Sequence, residues 1–249
     1  MHRIVLLRRG KANRFGVVTA LAVAYVHVAA RTGSVQQPPG GLEGRVTFSG
    51  TPPSSTMLTE DGGSQPVLFL DRSGGLRYAV VYLPDAPQSS TPPPPPVTMN
   101  QRRFMFEPQV LAVRTGQIVW FTNDDPANHN VRTLDSNPAN TFSVNTAAGG
   151  RSRFAHQFAP TPSGSALKLS CDIHQWMAAW IYVFGHDRFA VTSEDGSFMM
   201  QGVPPGRYRI AVRQPAGGLA RNLVIDIRAG STTRLNVRFT AADIPIPAR

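Results

Sequence analysis

The chain is poor in several things, and each shortage narrows what it can be. Among 249 residues there is one cysteine, Cys171, so no internal disulfide can form. Lipid attachment through a cysteine near the N-terminus is excluded for the same reason. Beyond residue 30 no stretch keeps helical periodicity over three turns, which argues against a helical bundle and for a β protein. The apolar run "FGVVTALAVAYVHVAA", Phe15 to Ala30, falls short of the roughly twenty residues a membrane span needs. The first fourteen residues contain no acid but carry Arg3, Arg8, Arg9, Lys11 and Arg14. A basic start, a short apolar run and the small residues Val28-Ala29-Ala30 form the order of a secretory signal. Residues 1–30 are therefore expected to be a signal peptide, and membrane association is expected only if that signal stays uncleaved. Arg8-Arg9 fits a twin-arginine signal poorly.

The formal charge of +10 overstates the basicity of the exported form. Loss of the five basic residues in the signal leaves twenty basic against fifteen acidic residues. A mildly basic surface without lysine clusters gives no reason to expect a nucleic-acid partner. Export to the periplasm or beyond puts the chain where thiols are oxidised. A lone cysteine there is either buried and inert or has its sulfur occupied.

What the chain does have is a dense series of strand signals. A polar, Pro/Gly-rich leader (31–41) is expected to be disordered. "LEGRVTFSG" alternates as a short strand, and "LRYAVVYLPDA" gives another. Residues 91–99, with "TPPPPPV", read as a stiff linker. From Phe104 to Gly185 the signals crowd together, with Gly116 turning one strand into the next. After His186, "EDG" and "PPG" turns separate further strands, and Leu235, Val237 and Phe239 share one face of the last. The tail, 241–249, is expected to fray. This is an all-β chain in two parts, 100–185 and 186–240. The segment 42–90 is expected to pair into the second part.

The chemistry sits in "SCDIHQWM". Cys171, His174 and Met177 follow a C-x2-H-x2-M spacing in a tight loop between two strand candidates. Thiolate, imidazole and thioether form a soft ligand set that suits copper rather than calcium or magnesium. A type 1 site needs a second imidazole to complete a trigonal plane beneath a weak axial methionine. His129 in "NDDPANHNV", on a turn after a strand, offers it. Taken singly, Cys171 reads as a small buried hydrophobe, Met177 as core and His129 as a turn residue. The spacing joins them. A two-cysteine dinuclear centre is excluded by count, and a thiol hydrolase lacks an evident orienting group for its base. His156, between Phe154 and Phe158, and His186, at the junction, read as structural.

With these residues in hand, the stretch 100–185 resembles the cupredoxins, and amicyanin in its short loop. "FEPQVLAVRTGQIVWFTNDDPANHNV" and "KLSCDIHQWM" carry the likeness. The resemblance implies a Greek-key sandwich holding one type 1 copper between His129, Cys171, His174 and Met177. It also implies that Asn130 ties the two ligand loops together, that His174 presents a ring edge to solvent, and that Gln175, Trp176 and Ala178 form a docking rim. Two positions depart from the family's pattern: Asp172 replaces a small neutral residue and Gln175 a proline. "DGSFMMQGVPPGRYRI" resembles transthyretin-like, carboxypeptidase-regulatory-like domains. The whole chain is similar to exported proteins described as methylamine utilization proteins. The expected function is transfer of single electrons between redox proteins, without catalysis of its own; the competing expectation is a copper carrier or a structural module.

Overall fold

The computed structural model describes residues 37–54, 66–162 and 164–245; the expected signal, residues 31–36 of the leader and the last four residues of the tail lie outside them. The described chain is all-β. Its strands are β1 (Gly40–Ser49), β2 (Val80–Tyr82), β3 (Val97–Arg102), β4 (Met105–Glu107), β5 (Val110–Arg114), β6 (Ile118–Asn123), β7 (His129–Thr133) and β8 (Phe142–Thr146). They continue with β9 (Arg153–Gln157), β10 (Leu167–Ser170), β11 (Ala178–Phe184), β12 (Phe189–Val191), β13 (Ser197–Val203), β14 (Gly206–Gln214), β15 (Leu219–Ile227) and β16 (Thr232–Thr240). The leader gives way to strand at Gly40, and the proline-rich segment gives way to β3 at Val97.

Four sheets are built from these strands, in the orders β13-β1-β16, β12-β2-β14-β15, β5-β11-β10-β7-β8 and β4-β3-β6-β9. The first two close over an apolar core of Leu42, Val46, Phe48, Val81, Ile210, Val212, Val237 and Phe239, among others. In β1, Leu42, Val46 and Phe48 are buried while Glu43, Arg45 and Thr47 are partly exposed, the period of two that a half-buried strand requires. This strand lies between β13, antiparallel, and β16, parallel. Gly44 is needed there because a Cβ would run into the Leu235 carbonyl oxygen of β16.

The other two sheets close over a second core of Met99, Val119, Phe121, Val131, Leu169, Cys171, Met177, Ala179 and Ile181, among others. Two strands of this sandwich are apolar on both faces. In β11, Ala179, Ile181 and Val183 enter that core, while Tyr182 and Phe184 point the other way. There they meet Val80 and Tyr82 of β2, Val110 of β5 and Ala211 of β14. Strands buried on both faces read as continuous apolar runs, and "AAWIYVFG" is such a run. The two sandwiches thus share a third apolar layer. Beside it, the buried Arg114 guanidinium donates to Asp187, Ser89 and Thr91, and Gln117 donates from Nε2 to the Pro95 carbonyl at 2.8 Å. These bonds pin the exposed prolines 92–96 at both ends.

Three connections meet at one end of the second sandwich. Strand β10 runs antiparallel to β7, with Ser170 opposite Arg132, so the chain leaving β10 lies beside the start of β7. Strand β3 runs parallel to β6, with Gln101 opposite Asn123, so the turn after β3 lies beside the loop after β6.

Candidate metal centre

That end gathers His129, Cys171 and His174, all buried, with their donor atoms within 4.8 Å of one another. His129 is the first residue of β7 rather than part of a free turn, and it pairs with Thr146 of β8. Cys171 directly follows β10. The loop from Cys171 to Met177 closes on itself: the Met177 amide donates to the His174 carbonyl at 2.9 Å. The His174 amide points at the Cys171 sulfur at 3.4 Å.

The three donors make a narrow triangle. The two Nδ1 atoms are 2.8 Å apart, and they lie 3.9 Å (His129) and 3.8 Å (His174) from Sγ of Cys171. A point in that plane about 2.0 Å from each nitrogen falls about 2.2 Å from the sulfur, near the ~2.0 and ~2.3 Å that imidazole and thiolate make to zinc. One first-row metal ion therefore fits the three atoms. Met177, the fourth sequence candidate, is fully buried in the same apolar cluster as Cys171, and its carbonyl accepts from the Cys171 amide at 3.4 Å. Two imidazoles and a thiolate form a soft set that can hold copper or zinc, copper the more tightly.

The polar surroundings organise the rings. Nε2 of His129 donates to Asp125 Oδ2 at 2.8 Å, which leaves Nδ1 to face the cysteine. Asn130 accepts from the Asp172 amide at 2.6 Å through Oδ1 and donates to Asp172 Oδ2 at 2.8 Å through Nδ2. The ligand loops are joined by this reciprocal pair. Asp172 also accepts from Arg132 at 2.9 Å, and those donors, Arg132 first, hold its carboxyl below the usual range. The acid that departs from the family pattern is thus a surface tie between β7 and the cysteine loop.

His174 is only 5% exposed, not the solvent-facing edge expected from the sequence. The rings of Phe104 and Trp176 lie against it, with centroids 5.2 Å from its own in both cases. Gln175 is exposed, while Trp176 and Ala178 are half-buried, and the Trp176 indole donates to the Phe104 carbonyl at 3.1 Å. Sequence reasoning missed Asp125 and Phe104. Asp125 stands four residues before His129 in an acidic, polar turn that gives no hint of burial. Phe104 comes from a hairpin more than twenty residues upstream, brought in only by the parallel pairing of β3 and β6.

No protein-family model and no curated protein matches the chain. Solved structures do overlap it in part. A purple cupredoxin from Nitrosopumilus maritimus covers 35% of this chain and 99% of its own, at 22% identity and a TM-score of 0.30. An oxidized mutant of amicyanin covers 35% of this chain and 81% of its own, at 16% identity and a TM-score of 0.30. A copper-containing nitrite reductase from Thermus scotoductus covers 56% of this chain, which spans 28% of that protein, at 17% identity and a TM-score of 0.31. At such scores the overlap carries no argument about what this chain does. The donor geometry has to carry it.

Proposed function

We propose that this is an exported type 1 copper protein that passes single electrons between redox partners and makes or breaks no bonds. The observation that carries the reading is the buried triangle of two Nδ1 atoms and one thiol sulfur, sized for one ion, in a loop that the buried Met177 closes through its backbone. Bound there, copper would supply a one-electron couple. The chain's own residues do the rest. Cys171 and the two imidazoles furnish the strong donors, and Met177 a weak fourth. Phe104 and Trp176 exclude water from the His174 side. The Asn130–Asp172 pair keeps the loops in one arrangement, which lowers the rearrangement needed between oxidation states.

The surface at Gln175, Trp176 and Ala178, with the exposed Ile173, is where a redox partner would dock, in a small and transient contact. The outer sandwich, the two sheets β13-β1-β16 and β12-β2-β14-β15, resembles transthyretin-like domains in its sequence and supplies none of the three donors. Export to the periplasm or outside the cell rests on the N-terminal sequence. Among the described residues no helix is long and apolar enough to cross a membrane. Titration of the copper-free protein with Cu(II), followed by absorption and EPR, tests the reading. One equivalent should give an intense visible band from thiolate-to-copper charge transfer. Colourless binding of Cu(I) alone would leave a copper carrier instead.

A further inference from the structure

Asp125 is 3% exposed, and a buried carboxylate is costly unless its oxygens are well bonded. Its bonds run to two different parts of the site. Oδ2 accepts from His129 Nε2 and from the Phe104 amide, both at 2.8 Å, and Oδ1 accepts from the Arg103 amide. Its own backbone is fixed in turn: its amide donates to Asn123 Oδ1, and its carbonyl accepts from Gly149.

The turn it grips is unusual. Arg103 and Phe104 both have φ of 55°, a left-handed conformation that L-residues with side chains disfavour. Two-residue hairpin turns of this kind ordinarily use glycine or asparagine. Here the sequence is Arg-Phe, and the conformation is held by outside contacts. Asp125 takes both amides from below, and Trp176 takes the Phe104 carbonyl from the side. So held, the Phe104 ring stands edge-on to both histidines, with centroids 5.6 Å from His129 and 5.2 Å from His174.

We propose that Asp125 is a positioning residue that couples His129 to the Phe104 lid. One carboxylate sets which nitrogen of His129 carries the proton and, through the same oxygens, latches the strained turn that closes the site. The orientation of a donor and the exclusion of water are then a single event. Glycine at position 104 would relieve the strain there but remove the lid, so the aromatic residue and its latch belong together. The coupling deepens the metal-centre reading, yet its first consequences belong to the metal-free protein.

Nitrogen-detected NMR of the copper-free full chain is the test. In the unmodified protein His129 should carry its proton on Nε2, and the Arg103 and Phe104 amides should exchange slowly with solvent. Asp125→Asn has one acceptor oxygen where three donors converge. It should lose the His129 tautomer preference and speed Phe104 amide exchange at least about tenfold. With copper added, its affinity should fall about ten- to a hundredfold, the usual range for outer partners of a ligand. Its reduction potential should rise, because a negative charge near the more positive ion has gone. Phe104→Ala should keep the tautomer but release metal faster to a chelator. An Nδ1 proton on His129 in the unmodified protein would overturn the proposal whether or not the variant folds. So would an Asp125→Asn protein with the tautomer and the Phe104 protection intact. If the NMR outcomes hold while copper gives no charge-transfer band, the coupling stands and the blue-copper reading falls.

Discussion

Cys171 is buried to 2% exposure, so its sulfur is out of reach of oxidants, and it faces two imidazoles, which suits the proposed export of a chain with one thiol. Its replacement separates the metal reading from a packing role. Cys171→Ala should fold, since the change removes one small buried atom, but should lose the visible band completely; a band that survived would remove the thiolate from the site. Met177→Leu is nearly volume-conserving and should cost less than about 1.5 kcal/mol of stability. The band should persist, because the methionine bond is weak. The potential should rise, because an electron-pair donor that helps the oxidised ion has been replaced by hydrocarbon. Voltammetry of the variant reads this directly, and an unchanged potential would make Met177 core alone.

At the level of elements, the alternating strands were legible because one buried face imposes a period of two. β1 and β16 show it plainly, and the two-faced β11 stands out as an unbroken apolar run. Gly116, with φ of 80°, marks the turn between β5 and β6 as its sequence implied. The C-x2-H-x2-M spacing was legible because those residues lie in one loop. The strands β3, β4, β7 and β8 were not singled out. β4 is three residues long, β3 emerges directly from prolines, and β7 is rich in polar residues that are buried only by the site. Contacts between distant loops, Asp125 with Arg103 above all, leave no local periodic trace. Pairing of β1 makes a further prediction. A fragment of residues 186–249 lacks β1 and β2, which are interior strands of the outer sandwich's two sheets. It should expose unpaired apolar edges and aggregate. A soluble fragment with a cooperative unfolding transition would mean that those two sheets do not depend on the N-terminal strands.

For the molecule as a whole, the apolar layer between the sandwiches decides whether it unfolds as one body. Phe184 stacks on Phe189 at 4.9 Å and lies 4.9 Å from Tyr82. Phe184→Ala should cost about 3–5 kcal/mol, as loss of a buried aromatic ring does. Calorimetry should then resolve two transitions where the unmodified protein gives one; a single transition at lower temperature would mean the layer is not what couples them. Acid should lower the stability of this one body. Asp71, bonded first by the Gly75 amide, Asp195, by the Ser193 hydroxyl, and Asp243, by the Thr240 amide, all have carboxyls held below their ordinary range. An acid whose pKa is lowered by folding contributes stability above its unfolded value, near 3.9 for aspartate. That contribution is lost as pH falls through the folded value. All three belong to the outer sandwich or its loops, and Asp172 of the ligand-bearing sandwich is held low in the same direction, so the single melting temperature of the coupled molecule should fall between about pH 4 and 2, as calorimetry across that range would read.

The placement of β1 also dictates an order of events during synthesis. The sandwich that carries the ligands draws its strands from one contiguous stretch, β3 to β11. The outer sandwich must wait, because β1 pairs with β13 and β16, some 150 to 190 residues later in the chain, and contacts across such separations form slowly. A growing or refolding chain should therefore pass through a state in which the inner sandwich is native and the N-terminal strand is still unpaired. The metal pocket would be ready before the molecule is finished, and the unpaired strand would be the species most exposed to aggregation or to a chaperone.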